Sequence, residues 1–212
     1  MQLLAHSGVI PRRLAKCPVP VCSACLYGKA TRRPWRSKPD NRPSDGIVPT
    51  TPGEVVSVDQ LDANVAGLVA QMAGRPTHAR YKVVTVFVDH ATDFSFVHFQ
   101  KSSNAQETLE GKELFERYAA SMGHKVRHCH ADNGIFASQA WVAHCTARQQ
   151  GLTFAAVGAH HQNGVAENKI RQLQSQARTM LIHAAKRWPD AVTANLWPYA
   201  IRMANESSNE LP

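Results

Sequence analysis

The sequence predicts an α/β domain whose core is a mixed five-stranded sheet, with three antiparallel strands first and helices on both faces. Three observations support this fold class: runs of alternating, β-branched residues, later strands separated by helical patterns, and a hydrophobic content of 43% that suffices for a core. Consecutive strands with short connections pair antiparallel, whereas strands separated by helices suit a mixed or parallel sheet.

The first three strands are predicted from local pattern. Residues 54–62 alternate and contain β-branched side chains, which predicts a strand, and the Gly- and Ala-containing residues 64–80 predict a loop. Strong strand patterns follow at residues 81–90 and 93–100. The connection between them is so short that the two form an antiparallel hairpin.

The rest of the domain alternates helices and strands. Residues 104–121 place apolar side chains at helical spacing, and Asn104 is a suitable N-cap. The further predicted elements are a strand at 124–131, a short helix at 138–150, a strand at 152–157, a long helix from about 164, and a last helix at 191–205.

The net charge of +8 is concentrated near the N-terminus. Residues 1–43 hold nine Lys and Arg but one acid, and the remaining residues balance. Such a basic arm predicts contact with a polyanion, most often nucleic acid. The alternative is a solvated tail or a localisation signal.

Other features limit the cellular setting. No apolar run approaches the roughly 18 residues of a membrane span, and the first ten residues are too polar for a signal peptide. The five cysteines, an odd number, show no disulfide framework. We therefore expect no membrane contact and an intracellular, reducing compartment.

Three acids stand out by position. Asp59 lies inside the first strand, Asp132 ends the fourth, and Glu167 lies in the first turn of the long helix. If the first and fourth strands are neighbours, the two aspartates meet, and a helix packed behind them can bring in the glutamate. Crowded carboxylates repel each other, which Mg²⁺ relieves. A pair of ions about 3.5–4 Å apart could then serve an in-line phosphoryl transfer.

The long helix also predicts a surface for phosphates. Arg171, Gln174 and Arg178 share the helix face of Glu167, so one carboxylate lies among cations and amides. The alternative for Glu167 is an acid favoured by the helix dipole. Asp62, Asp89 and Asp93 are predicted to be structural, the last two as turn residues.

These residues resemble the integrase of copia-type LTR retrotransposons, which is related to retroviral integrases and DDE transposases. The matching segments, in order, are VSVDQ, VTVFVDHATDF, HADNGIF, HHQNGVAENKIRQLQSQARTML and LWPYAIRMANESSNELP. They span about residues 54–212. Between Asp132 and Glu167 lie 34 residues, one fewer than in the family's D,D-35-E signature.

The resemblance implies an RNase H-like catalytic core over residues 54–212. It implies that Asp59, Asp132 and Glu167 are catalytic and bind two Mg²⁺ or Mn²⁺ ions. The implied activity is 3′-end processing of retroelement DNA followed by strand transfer into target DNA. The residues that fall where the family contacts DNA are Gln162, Asn163, Lys169 and Arg171, to which the helix face adds Arg178.

The N-terminal segment, residues 1–33, resembles the family's HHCC zinc domain in truncated form. Cys22 and Cys25 match its terminal C-x-x-C-x-x-G-K motif, and His6 with Cys17 would complete a tetrahedral Zn²⁺ site. The alternative is a remnant without metal. Residues 34–53, rich in proline and basic side chains, are predicted to be a linker.

The remaining expectations follow from the same resemblance. The partners are element-end and target DNA, the protein is expected to form a homo-oligomer, and an active copy is expected in the nucleus. Asn168 replaces the family's usual Arg after Val-Ala-Glu, which leaves open a non-catalytic, domesticated DNA-binding remnant. A nuclease of the RNase H type is a third possibility with the same fold and metals.

Overall fold

The structure is a computed structural model of the chain that describes residues 2–18, 21–30, 49–71, 77–155 and 163–210. Its helices and strands, in chain order, are α1 (Gln2–His6), α2 (Ser23–Gly28), β1 (Val56–Leu68), β2 (Arg80–Asp89), β3 (Ser95–Gln100), α3 (Ala105–Ser121), β4 (His128–Ala131), α4 (Gln139–Ala147), β5 (Gly151–Phe154), α5 (Gly164–Arg187) and α6 (Trp197–Glu210). Short 3₁₀ helices lie at Arg12–Lys16, Ile135–Ala137 and Ala194–Leu196.

The five strands form one mixed sheet in the order β3-β2-β1-β4-β5. The pairs β1–β2 and β2–β3 are antiparallel, whereas β4 is parallel to both β1 and β5. This arrangement confirms the predicted fold class, including the contact between the first and fourth strands. The helical crossovers before β4 and β5 allow parallel pairing, which a short hairpin cannot provide.

Helices cover both faces of the sheet, and each face has its own apolar core. On one face α5 and α6 pack against alternate residues of β2, among them Val84, Val86 and Val88. On the other face α3 and α4 pack against Val56 and Val58 of β1. Because side chains alternate along a strand, the start of β1 and residues 83–89 of β2 are buried on both sides.

The first strand is longer than predicted. Residues 64–80 were expected to form a loop, but β1 continues to Leu68, which pairs with Arg80 beyond a bulge between Asp62 and Gly67. Trp197 explains the extension: its Nε1 donates to Val65 O (2.8 Å), and its ring lies where a Cβ on Gly67 would be. Tertiary packing thus stabilises strand geometry in a Gly- and Ala-containing segment.

The last two strands are shorter than predicted, with four residues each, and the final helix begins later, at Trp197. The third helix agrees closely with its prediction. The side chain of Asn104 accepts a hydrogen bond from Glu107 N (2.7 Å), as expected of an N-cap. Cys129 and Cys145 are core residues, 2% and 1% exposed.

A buried polar cluster joins α3 to α4 and to the residues before β5. Lys112, 1% exposed, forms an ion pair with Glu116 and donates to Gln150 Oε1 (2.5 Å). Its Nζ also lies 3.1 Å from His144 Nδ1. Burial raises the pKa of Glu116, but hydrogen bonds from Lys112 and Gln150 outweigh that effect and lower it. The cluster therefore holds a compensated charge pair inside the protein.

The N-terminal segment packs against the core domain through α2. A Cβ on Gly28 would lie 2.7 Å from the Cα of Thr179 in α5, so the two helix backbones approach closely. Ala24, one turn earlier, is 1% exposed, and Lys186 near the end of α5 donates to Ser23. Small residues at i and i+4 of α2 thus allow the contact with α5. In the described part of the chain, no helix has the length and apolar character to cross a bilayer.

Replacing Gly53 with alanine should destabilise the protein by roughly 2–4 kcal/mol. Gly53 has a φ of +80°, and an added Cβ would lie 2.6 Å from the carbonyl oxygen of Lys125. Gly123 has the same φ but no atom within 4 Å of the added Cβ, so Gly123→Ala should cost only about 1 kcal/mol. Urea unfolding of both variants measures the difference, and equal losses would contradict this explanation.

Replacing Glu116 with glutamine should destabilise the protein by about 3–5 kcal/mol at neutral pH, since it leaves Lys112 buried without a counter-charge. The lowered pKa of Glu116 means that its contribution is present above the unfolded-state pKa and is lost as the pH falls through the folded-state value. The difference in the free energy of unfolding between wild type and Glu116→Gln should therefore become smaller in acid. Glu113→Gln, at an exposed site 3.6 Å from His144, is the control and should cost at most about 1 kcal/mol.

Candidate active site

Asp59 and Asp132 lie side by side at the centre of the sheet. The parallel register pairs Val58 of β1 with Ala131 of β4, and each aspartate is the next residue of its chain. Asp59 also pairs with Val86, whose side chain belongs to the core beneath α5 and α6. Both carboxylates therefore face the α5 side, on neighbouring strands about 4.8 Å apart.

Backbone amides orient the two carboxylates. The Oδ1 of Asp59 accepts a hydrogen bond from Gln60 N (2.8 Å), and the Oδ1 of Asp132 accepts one from Gly134 N (3.1 Å). On the opposite face of β1, the Gln60 side chain donates to Thr85, Gln100 and Thr108. This amide and hydroxyl network immobilises the strand directly beneath Asp59.

Glu167 is half-buried in the first turn of α5, and the start of that helix is tied to β1. The tie is Asn163, 2% exposed, whose Nδ2 donates to Val58 O (3.0 Å), the carbonyl just before Asp59. The Oδ1 of Asn163 is buried and accepts no hydrogen bond within the described chain. One short side chain thus links the helix of Glu167 to the strand of Asp59.

A second tie joins α5 to the turn between β2 and β3. Lys169, 3% exposed, donates to Asp93 Oδ2 (2.5 Å), and Asp93 has a left-handed φ of 57°. Asp89 stabilises the same turn by accepting hydrogen bonds from Thr92 N (3.0 Å) and Thr92 Oγ1 (2.7 Å). Asp89 and Asp93 therefore have the structural role that was predicted, and Asp93 has an ion pair that no local pattern indicates.

Two histidines, His90 and His130, lie beside the carboxylates on the sheet. His90 Nε2 lies 2.8 Å from Ser57 Oγ, and Ser57 pairs in register with His130. Burial lowers the pKa of His90, with a smaller contribution from His130. A cavity of about 370 Å³ opens between His90, Asp93 and the first turns of α5, and Lys169 is among its lining residues.

The predicted DNA contacts divide into two groups. Arg171 and Arg178 are exposed on α5, as contact with a phosphate backbone requires. Asn163 and Lys169 are buried and have partners within the protein, so in this conformation they are not free for DNA. The burial of these two side chains has a physical cause: the start of α5 can pack on the sheet only if its inward polar side chains find partners there. Gln162 lies outside the described residues.

The carboxylates fit a hard cation by chemistry, since aspartate and glutamate oxygens are the ligands that Mg²⁺ prefers. Asp59 and Asp132 fit by position as well. Among the described residues, however, no group of three or more His, Cys, Asp or Glu is arranged to hold a metal ion. Glu167 is on the adjoining helix but does not complete such a group with the other two.

The predicted zinc ligands His6, Cys17, Cys22 and Cys25 are all described, and they do not form a group that could hold a metal ion. Cys22 and Cys25 interact with each other across one turn of α2, and hydrogen bonding from the Cys25 backbone lowers the pKa of Cys22. Cys17 is exposed and directly follows the 3₁₀ helix Arg12–Lys16, and its Sγ lies 3.8 Å from Arg13 O. The structure therefore brings together a cysteine pair but no four-ligand site.

Comparison with solved structures identifies the fold. The HTLV-2 integrase catalytic core domain in complex with magnesium matches with a TM-score of 0.50 at 18% identity, covering 76% of this chain and 88% of that one. The catalytic core domain of BIV integrase matches with the same score and identity, covering 76% and 86%. An intasome of simian T-cell lymphotropic virus, in complex with PP2A regulatory subunit B56 gamma, matches with a TM-score of 0.56 at 16% identity over 100% and 69%.

No family model matches the sequence, and no curated protein does. At these identities the likeness shows the fold alone. The domain has the RNase H-like architecture of a retroviral integrase catalytic core, with the sheet order and flanking helices described above.

Replacing Asp132 with asparagine should stabilise the metal-free protein by about 0.5–1 kcal/mol, because it removes repulsion from the neighbouring Asp59 carboxylate. Asparagine keeps an oxygen that can accept from Gly134 N. Chemical denaturation in EDTA at low salt measures the gain, which should shrink at high salt. Asp62→Asn, on the exposed opposite face of β1, is the control. A gain no larger than in this control would contradict the proximity of the two carboxylates.

Proposed function

We propose that this chain is the catalytic core of a DNA integrase from a copia-type LTR retrotransposon. Its proposed activity is metal-dependent polynucleotidyl transfer: 3′-end processing of element DNA, then strand transfer into target DNA. The observation that carries the proposal is the matching position of Asp59 and Asp132 on adjacent parallel strands. The tie from Asn163 to Val58 supports it further, since it holds the helix of Glu167 beside them.

In this proposal Asp59, Asp132 and Glu167 hold Mg²⁺ or Mn²⁺, which would supply charge stabilisation to both the attacking and leaving oxygens. The chain's own residues position the ligands: Gln60 N and Gly134 N orient the two aspartates. No side-chain nucleophile is needed, because the attacking group is water or a DNA 3′-hydroxyl.

The proposed DNA surface lies along α5 and the N-terminal arm. Arg171 and Arg178 project from α5 into solvent, and the described bases of the arm are also exposed: Arg12, Arg13, Lys16 and Lys29. Cations that neutralise phosphates release counterions, so binding through this surface should weaken steeply with salt. Within the described part of the arm, α2 packs on α5, so Lys29, which directly follows α2, lies near the helix that carries the two arginines.

The structures with the same fold support the proposals on cofactor and assembly. One is the HTLV-2 integrase core with magnesium in a trimeric form, a second is its dimeric form, and a third is an intasome. By analogy we propose that this chain uses Mg²⁺, assembles with DNA as a homo-oligomer and acts in the nucleus.

The activity is tested with purified protein, Mn²⁺ and a duplex that mimics the element end. We expect 3′ trimming and joined products, and Asp132→Asn should reduce both by about 10²- to 10³-fold, the order seen when one electrostatic catalytic group is removed. The control Asp62→Asn, which removes an acid from the other face of β1, should keep near wild-type activity. Full activity of the Asp132 variant would show that the assigned site is wrong.

A second candidate function is a non-catalytic DNA-binding module derived from an integrase. The observation in its favour is that the described residues contain no assembled three-ligand metal site, and the zinc ligands are not gathered either. DNA affinity of the wild type measured in EDTA and in Mg²⁺, together with the joining assay, separates the two functions. A module of this kind should bind DNA equally in both conditions and form no joined products.

A further inference from the structure

Two buried polar residues bracket Glu167 on α5. Asn163 precedes it by four residues and Lys169 follows it by two, and they are 2% and 3% exposed. A lysine at this burial is unfavourable unless its charge is paired, and a buried amide is unfavourable unless it is hydrogen-bonded. Their partners therefore constrain where this turn of helix can lie.

The partners belong to two different parts of the sheet. Asn163 donates to the carbonyl of Val58, one residue before Asp59. Lys169 is paired with Asp93, in the turn that Asp89 and Thr92 stabilise. The apolar face of α5 packs on the sheet, and the two polar contacts add anchors at its first turns. They lie on either side of Glu167 and hold this part of the helix to β1 and to the β2–β3 turn.

We propose that Asn163 and the Lys169–Asp93 pair form a two-point clamp, which holds the helix turn of Glu167 beside the strand of Asp59, so that a bound cation can draw the three carboxylates together. The clamp residues are positioning residues that act through Glu167, and DNA is held instead by the exposed Arg171 and Arg178. This inference rests on the proposed function, because it assigns the clamp a role at the same carboxylate site.

The clamp explains why the first turns of α5 contain both buried and exposed polar residues. Arg171 is only two residues beyond Lys169, yet its side chain is exposed and meets only Asn168 Oδ1 (3.2 Å) among the described residues. Removal of a clamp residue should therefore change cation affinity, and removal of Arg171 should change DNA affinity. The two effects can be measured independently of turnover.

The test uses the full chain and two binding measurements: Mn²⁺ binding by calorimetry, and DNA binding in EDTA by fluorescence anisotropy. Asn163→Ala and Lys169→Gln should each weaken Mn²⁺ binding about 10- to 100-fold, the range for residues that orient metal ligands. Their DNA affinity in EDTA should fall by less than that of Arg171→Gln. Arg171→Gln should leave Mn²⁺ affinity within twofold of wild type.

A compensating variant guards against general unfolding. Lys169→Gln combined with Asp93→Asn replaces the ion pair by an amide pair, keeps the wild-type net charge, and places asparagine at a left-handed φ that it tolerates. This double variant should recover at least part of the Mn²⁺ affinity that Lys169→Gln loses. Circular dichroism establishes that each variant retains helix and sheet content.

The outcomes distinguish the inference from the function on which it rests. If wild type binds no Mn²⁺, the proposed integrase function fails and the clamp's role fails with it. If wild type binds Mn²⁺ but Asn163→Ala and Lys169→Gln bind it equally well, only the clamp is overturned. Asn163→Ala and Lys169→Gln could instead lose as much DNA affinity in EDTA as Arg171→Gln while their Mn²⁺ binding stays unchanged. That result would overturn the clamp and assign the two residues to DNA contact.

Discussion

The parallel pairing of β1 with β4 is the constraint on which the rest of the structure depends. It places Asp59 and Asp132 at matching positions, each directly after a fully buried residue, Val58 or Ala131, of the core beneath α3 and α4. A slip of one residue would turn Asp59 into the apolar core of α3 and α4, where an unpaired charge is strongly unfavourable. The cost of that alternative makes the register, and hence the geometry of the two carboxylates, strongly specified.

Buried polar side chains on the two faces of the sheet have different consequences. Lys112 and Glu116 join α3 to the neighbouring elements, far from the carboxylates, and contribute to a unique packing of that face. On the α5 face, Asn163 and Lys169 join a helix to the strand and turn that surround the candidate site. Both sets incur a desolvation cost, but only the second positions an acid of the candidate site.

The helix that contains Glu167 is constrained along its whole length. Its first turns are tied to the sheet, its middle meets Gly28 of α2 at Thr179, and Lys186 near its end donates to Ser23. Movement of α5 would therefore disturb the N-terminal segment as well as the sheet. This packing connects the basic arm to the helix whose arginines form the proposed DNA surface.

The sequence by itself determined the order of strands and helices, the capping of α3 by Asn104, and the positions of Asp59, Asp132 and Glu167, because these depend on local periodicity and on motifs. Only the tertiary structure decided the extension of β1 and the partners of Asn163 and Lys169. Those partners lie 105 and 76 residues away along the chain. The local sequence shows that a residue is polar. The tertiary packing decides whether that residue binds a partner inside the protein or is exposed for contact with DNA.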